Sequence, residues 1–206
     1  MDIVGLISWL AAGFGMATAL PQLVKIWRTR VTTGVSTRLW QLSICSATAW
    51  VFHGFWIDSP ALAWPTLVLL VFQLGILALV CHNEHLRTDT TMLLPLLGSA
   101  VFILFDLAFG PAVFGATVAA PVLGQVLQLR TMVRTSDLHG VSKECLLLNV
   151  TANALWLVYS VLVVEWALRC SSAAQLAVCS VVLAYYVYRR AALVRAMPTV
   201  AVRTAA

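Results

Sequence analysis

The 206-residue chain is 61% hydrophobic, only 10% charged, and carries a formal net charge of +5. Soluble domains usually have about a quarter of their residues charged, and a chain this short has too little interior to hide so much apolar surface from water. The composition therefore excludes an ordinary soluble protein. It predicts an all-α integral membrane protein, because a helix satisfies its own backbone groups in lipid.

Seven apolar stretches are long enough to cross a bilayer, which takes about 17 to 25 residues. In chain order they cover 3–27, 38–57, 60–81, 91–109, 112–130, 144–166 and 170–188. The first stretch lacks a basic leader and is long enough to span, so we expect it to be retained rather than cleaved as a signal peptide. The fifth is the least apolar, because glycines and glutamines dilute it.

The basic residues test this count. With an outside N-terminus, the inner segments are 25–38, 82–90, 130–144 and everything after 188, and they hold twelve of the 13 lysines and arginines. Positive charge concentrates on the cytoplasmic side of membrane proteins. The sequence therefore predicts a multi-pass protein of the cell (plasma or inner) membrane, with the N-terminus out and the C-terminus in. Topology also explains the net charge, so no nucleic-acid partner is expected.

Reactive side chains form no recognisable catalytic pattern. The five cysteines lie in or beside apolar segments and suit small buried hydrophobes better than disulfides or metal ligands. The "HNEH" at His82–His85 is not a zinc-protease motif, and no nucleophile–base pair appears. We therefore predict that the protein is not an enzyme and has no catalytic residue, metal or cofactor.

The polar segment that follows the first apolar stretch recurs later in the sequence. The stretches "LPQLVKIWRTRVTTGVST" and "VLQLRTMVRTSDLHGVSK" align at an offset of 106, and the ungapped match from Gln22 to Trp50 contains nine identities over 29 positions. Most are Gln, Arg, Thr, Gly, Ser and Trp, which chance pairing of apolar sequence does not supply. An internal duplication is the interpretation.

The duplication predicts the architecture. Each copy holds three spans, and the fourth span matches neither copy. Three spans alone would invert the second copy, so a single linker helix restores its orientation. We predict two parallel three-helix bundles joined by a linker helix (3+1+3). The boundaries are 1–82 for the first repeat, 83–110 for the linker, 111–190 for the second repeat and 191–206 for a cytoplasmic tail.

A helix with "PQ", a basic loop, "GVS" and a second helix with a central Trp, repeated around a linker helix, resembles the PQ-loop superfamily. The count and orientation are similar to the SWEET sugar transporters, whose half-size relatives are the SemiSWEETs, and the resemblance covers about residues 3–188. It implies a transporter for facilitated (uniport) diffusion of a small neutral solute, a mono- or disaccharide, by alternating access. The implied partners are that solute and membrane lipids, and a homo-oligomer is left open.

The candidate substrate site centres on Trp50 and Trp156, which lie well inside the second and sixth spans. An indole at mid-membrane needs a partner for its N–H or a cavity, and the resemblance implies a Trp here against the sugar. Asn149 and Asn153 share a helix stripe with Trp156, and amides in lipid are costly without a partner. Packing against lipid or another helix remains the alternative for all four.

Two departures and three gating candidates complete the prediction. Sixteen residues after each Trp, SWEET and SemiSWEET pockets place an asparagine, whereas this chain has Thr66 and Ser172. The resemblance implies gating or hinge roles for Pro21, Gln22 and Gln128. Because a helix proline creates a bend and Pro21 has Leu127 as its counterpart, the hinge is predicted to be asymmetric.

Acidic residues bear on the energetics of transport. The nearest to mid-membrane is Asp106, near the outer end of the fourth span, and ion-coupled carriers usually keep a carboxylate inside the membrane. We therefore predict facilitated diffusion. Two alternatives stay open: a PQ-loop carrier of amino acids or another metabolite, and a non-transporting receptor or scaffold of the same fold.

Overall fold

The computed structural model of the chain describes residues 3–56, 58, 60–109, 119–164 and 166–196. These residues form helices and connecting turns, with no strand among them. The helices are α1 (Ile3–Ala17), α2 (Leu20–Thr29), α3 (Thr37–Trp56), α4 (Pro60–Asn83), α5 (Thr88–Phe109), α6 (Ala119–Arg134), α7 (Lys143–Leu162) and α8 (Trp166–Ala196). The all-α prediction is confirmed for this part of the chain.

Helix positions follow the predicted spans closely. The helices α1 and α2 together make one apolar segment, Ile3–Thr29, so the described residues contain seven helical segments in place of the seven predicted spans. Five of these segments are long and apolar enough to cross a membrane. The start of the predicted fifth span, 112–118, lies outside the described residues. The helix α8 extends beyond the predicted seventh span, because the Ala- and Arg-rich sequence up to Ala196 favours helix.

A break divides the first span next to Pro21. The helix α1 ends at Ala17, and Pro21 lies in the first turn of α2. Proline has no N–H to bond the carbonyl four residues earlier and clashes with it, so a continuous helix is disfavoured here. Thr18 turns instead, with its backbone N–H and its hydroxyl both donating to the carbonyl of Gly15, at 3.2 and 2.8 Å. At the equivalent Leu127, α6 continues unbroken.

The helices pack in two similar sets. In the first, α4 contacts both the α1–α2 segment and α3, and in the second, α8 contacts both α6 and α7. Between the sets, α1 packs on α7 and α3 packs on α6. These contacts correspond to one another under the 106-residue offset, as expected if one ancestral packing was copied.

Equivalent side chains cap equivalent helices. The Asn83 side chain donates to the carbonyl of Arg30 at the end of α2, at 3.3 Å. Its counterpart at the same offset, Arg189, donates to the carbonyls of Thr135 and Ser136 at the end of α6, at 3.2 and 3.3 Å. Carbonyls at a helix C-terminus lack partners within the helix, so different residues fill one structural need.

The fifth helix is attached to α3 through polar contacts. Pro95 inside α5 removes the N–H that would bond the carbonyl of Thr91, and Gln41 of α3 donates its Nε2 to that carbonyl at 2.7 Å. One turn further along, a Cβ on Gly98 would lie 2.5 Å from the sulfur of Cys45. Only glycine permits so close an approach, so α5 is held firmly on α3.

Candidate functional site

The loops 30–36 and 135–142 meet at one end of the helix bundle, which we call the basic end because Arg28, Arg30, Arg134 and Lys143 lie in or directly beside them. There the Gln22 side chain is buried, with 3% of its surface exposed. Its Nε2 donates to the carbonyl of Gly140 at 2.7 Å, and its Oε1 accepts from the backbone N–H of Ser142 at 2.7 Å. Both polar atoms of the Gln22 side chain, in the first repeat, are thus bonded to the loop of the second.

The reverse contact is present as well. Gln128, also 3% exposed, donates its Nε2 to the carbonyl of Gly34 at 2.7 Å and accepts from the N–H of Ser36 at 2.8 Å. Each glutamine therefore closes the "GVS" loop of the other repeat. We call this set of residues the latch: Gln22, Gly34–Ser36, Gln128 and Gly140–Ser142.

Glycines bring the two loops into backbone contact. The N–H of Gly140 donates to the carbonyl of Thr33 at 3.1 Å. A Cβ at Gly140 would lie 2.6 Å from that oxygen and 2.7 Å from the Thr32 carbonyl carbon. Gly34 has φ +81°, which side chains rarely adopt. Both repeated glycines are therefore required by the geometry of the latch.

Two further contacts surround the latch. The ammonium of Lys25 donates to the carbonyl of Val141 at 2.6 Å, and the hydroxyl of Thr33 donates to Oδ2 of Asp137 at 3.2 Å. Desolvation acts to raise the pKa of Asp137, but hydrogen bonds from the N–H and ring of His139 outweigh it and lower that pKa below its usual 3.8. Asp137 is therefore ionised at neutral pH and accepts from the opposite loop.

Trp156 lies where the two sets of helices meet. A Cβ on Gly15 of α1 would be 3.6 Å from the indole Nε1 of Trp156, an ordinary van der Waals distance, so the ring lies directly against α1. On its own helix, Trp156 meets Tyr159 edge to face, with ring centroids 5.7 Å apart. The half-buried indole therefore contacts α1 as well as its own helix.

Trp50, its counterpart, contacts a buried hydrogen-bonded pair of side chains, His53 and Asp106. The rings of Trp50 and His53 are 5.8 Å apart and nearly perpendicular. His53 Nδ1 lies 2.7 Å from Asp106 Oδ2 on α5, and both side chains are less than a tenth exposed. The sequence analysis missed His53. Its signal is the polar stripe that it shares with Gln41 and Cys45, the residues that hold α5.

Three of the other predicted residues, Asn149, Asn153 and Thr66, form hydrogen bonds within their own helices. The Nδ2 of Asn149 donates to the carbonyl of Cys145 at 2.9 Å, and the Nδ2 of Asn153 donates to that of Asn149 at 2.8 Å. Thr66 donates to the carbonyl of Leu62 at 2.7 Å, and Ser172 is 3% exposed in the first turns of α8. The structure thus joins Gln22 and Gln128 to the opposite loops, whereas these described bonds of the asparagines and Thr66 are local.

Comparisons with known proteins bear on the fold. A scan against models of protein families finds no match, and neither does a search of curated proteins. A search of solved structures matches a eukaryotic SWEET transporter determined at 3.7 Å resolution, with a TM-score of 0.61, 15% sequence identity, and coverage of 92% of this chain and 100% of that chain. Identity this low shows a similar fold alone. With its apolar helices, the chain is a multi-pass membrane protein that has a SWEET-type fold.

Proposed function

We propose that the protein is a membrane transporter that moves a small neutral solute, a mono- or disaccharide, by facilitated diffusion. The SWEET-type fold supports a transporter. The reciprocal latch between the two repeats is the observation that supports alternating access. In this proposal, the repeats at 1–82 and 111–190 are parallel bundles joined by a linker at 83–110. The N-terminus is outside, and the C-terminus with tail 191–206 is inside.

The latch acts as the inner gate. In the structure, two buried glutamines join the loops of this end through four hydrogen bonds, which supports a closed state in this proposal. A hydrogen bond contributes about 0.5–1.5 kcal/mol net, so the four contribute roughly 2–6 kcal/mol. A preference of that size is large enough to populate one state and small enough for a solute with differential affinity to reverse.

The substrate site lies between Trp50 and Trp156, one from each repeat. Aromatic faces suit the C–H surfaces of a sugar ring, and the Asn149 and Asn153 amides on the stripe of Trp156 supply hydrogen bonds. Thr66 and Ser172 contribute shorter hydroxyl groups. The break beside Pro21 serves as the stronger hinge, because the second repeat has no equivalent break.

Transport assays in liposomes test this proposal. Labelled glucose and sucrose should enter liposomes containing the wild-type protein, and Trp156→Ala or Trp50→Ala should reduce entry about two- to tenfold, the effect of one lost aromatic contact. Trp27→Ala is the matched control, because this indole is 60% exposed on the outside of α2. Unchanged uptake in Trp156→Ala would contradict the proposed substrate site. If the wild-type protein took up neither sugar, the proposal that its substrate is a sugar would be wrong.

A second candidate is a carrier of amino acids or another metabolite. The observation in its favour is that Thr66 and Ser172 stand where sugar-binding relatives have asparagine. Thermal unfolding with a panel of sugars and amino acids separates the two candidates, since a ligand stabilises the folded protein by mass action. Stabilisation without any flux into liposomes would instead favour a receptor of the same fold.

A further inference from the structure

A cleft of about 650 Å³ opens at the basic end between α2, α7 and α8. Three of its lining side chains are cations and one is a carboxylate, which gives the cleft a net charge of +2. The lining residues are Lys25, Lys143, Glu144, Tyr186, Val187, Arg190 and Ala191.

The carboxylate of the cleft, Glu144, already has a hydrogen-bond partner within the protein. Glu144 Oε2 accepts from the hydroxyl of Ser142 at 2.9 Å at the start of α7. Lys143 and Arg190 are exposed, whereas Lys25 is half-buried and donates to the latch. Lys143 is therefore available to a ligand, and Arg190, whose Nη1 lies 3.5 Å from Nε2 of the exposed His139, has further N–H groups to offer. Lys25 is the third cation of the lining and already bonds the latch.

The equivalent positions in the other repeat show that the fold does not require a positive charge here. At the 106-residue offset, the seven lining positions become Thr131, Thr37, Arg38, Val80, Cys81, Glu84 and His85. One arginine and one glutamate there leave no net charge with histidine neutral, and Glu84 accepts from Thr32. The cationic lining thus belongs to one side of the molecule alone.

The surroundings of the cleft are apolar and face outwards. Val187 on the wall of the cleft is 48% exposed, and the next residue, Tyr188, is 68% exposed. In a membrane such side chains lie against lipid, while basic residues at the ends of spans lie among the headgroups. A ligand here has phosphate beside the cations and apolar chains beside α8.

We propose that this cleft binds the phosphate-bearing headgroup of an anionic phospholipid. Lys143 and Arg190 contact the phosphate, because charge-assisted hydrogen bonds to phosphate are strong. The half-buried Lys25 adds a third positive charge to the cleft. The apolar rim favours a lipid over a free phosphate compound. The proposal does not rest on the transport function.

Native mass spectrometry of the purified protein tests the site with short-chain phosphatidic acid, phosphatidylcholine of equal chain length and inorganic phosphate. We expect phosphatidic acid to bind and the other two to bind much more weakly. The Lys143→Ala/Arg190→Ala variant should lose about tenfold or more in affinity, since each basic residue near anionic lipid contributes appreciably. Lys25 is left unchanged because it also bonds the latch.

The matched control is Arg28→Ala/Arg134→Ala, which removes the same charge from two exposed residues outside the cleft. This variant should keep the wild-type affinity. Equal losses in both variants would mean general attraction to anions and would overturn the site. If inorganic phosphate bound as well as phosphatidic acid, the proposal that the ligand is a lipid would be wrong. Circular dichroism confirms that each variant retains its helices.

Discussion

Gln22 and Gln128 occupy equivalent positions in the two repeats, and each bonds the backbone that follows the other repeat's basic loop. The four distances, from 2.7 to 2.8 Å, are nearly identical. A contact of this kind needs both copies, because neither glutamine closes its own loop. The repeated "Q…GVS" spacing is therefore the sequence record of an interface between the halves.

Replacing either glutamine by alanine should open the basic end. The loop N–H and carbonyl left without a partner cost about 1–3 kcal/mol each when they stay buried, so the closed state loses its advantage. Spin labels at the exposed positions of Arg28 and Arg134, with exposed Cys170 replaced, report the distance across this end. The distance should increase in both variants and stay unchanged in Gln175→Ala. This control glutamine lies on α8, where its Oε1 accepts from Cys179 Sγ of the same helix at 3.9 Å. No increase in either variant would contradict a gating latch.

Gly140→Ala should prevent closure of the same end. Its Cβ would lie 2.6 Å from the Thr33 carbonyl oxygen, a backbone atom that cannot move aside cheaply, and overpacking of this kind costs about 1–3 kcal/mol. The label distance should lengthen and the melting temperature should fall.

Gly13→Ala is the control for that substitution, since nothing lies within 4 Å of its Cβ position in α1. Alanine is the better helix former, so this variant should be as stable as the wild type or slightly more stable. If the two variants behaved alike, the backbone contact at Gly140 would not matter.

Asp106→Asn should destabilise the attachment of α5 to α3. A buried polar group that loses its hydrogen-bond partner costs about 1–3 kcal/mol, and both side chains of the His53–Asp106 pair are almost fully buried. Thermal unfolding in detergent measures the loss. Asp89→Asn, which breaks the exposed pair with Arg87 on the same helix, should change little. Equal effects would mean that the His53–Asp106 pair is not a structural bond.

Gln41→Leu should leave the carbonyl of Thr91 without a partner, at a cost of about 1–3 kcal/mol. The reason is Pro95, which supplies no N–H to that carbonyl. In a Pro95→Ala background the helix can bond Thr91 itself, so the same substitution should cost clearly less. A double-mutant cycle measures this coupling, and additive effects would contradict the pairing.

The positions of the helices were readable from the sequence because they depend on local quantities. Apolar length predicts a span, and a proline predicts a local disturbance of its helix. The first span is interrupted beside Pro21, whereas α5 continues through Pro95 and leaves the carbonyl of Thr91 to Gln41. The offset of 106 likewise identifies which residues are equivalent. Equivalence says nothing about contact, however, and the substrate roles of Trp50, Trp156 and the two asparagines stay predictions.

What only the tertiary structure decided is which of these residues meet. Gln22 bonds a loop 118 residues away in the chain, and His53 finds its carboxylate 53 residues away on α5. Such pairings depend on how whole helices dock, which is set by shape and burial summed over many side chains. The lengths of the apolar stretches and the repeated sequence motif therefore determined the spans and the duplication. The packing of the helices determined that the two repeats bond each other.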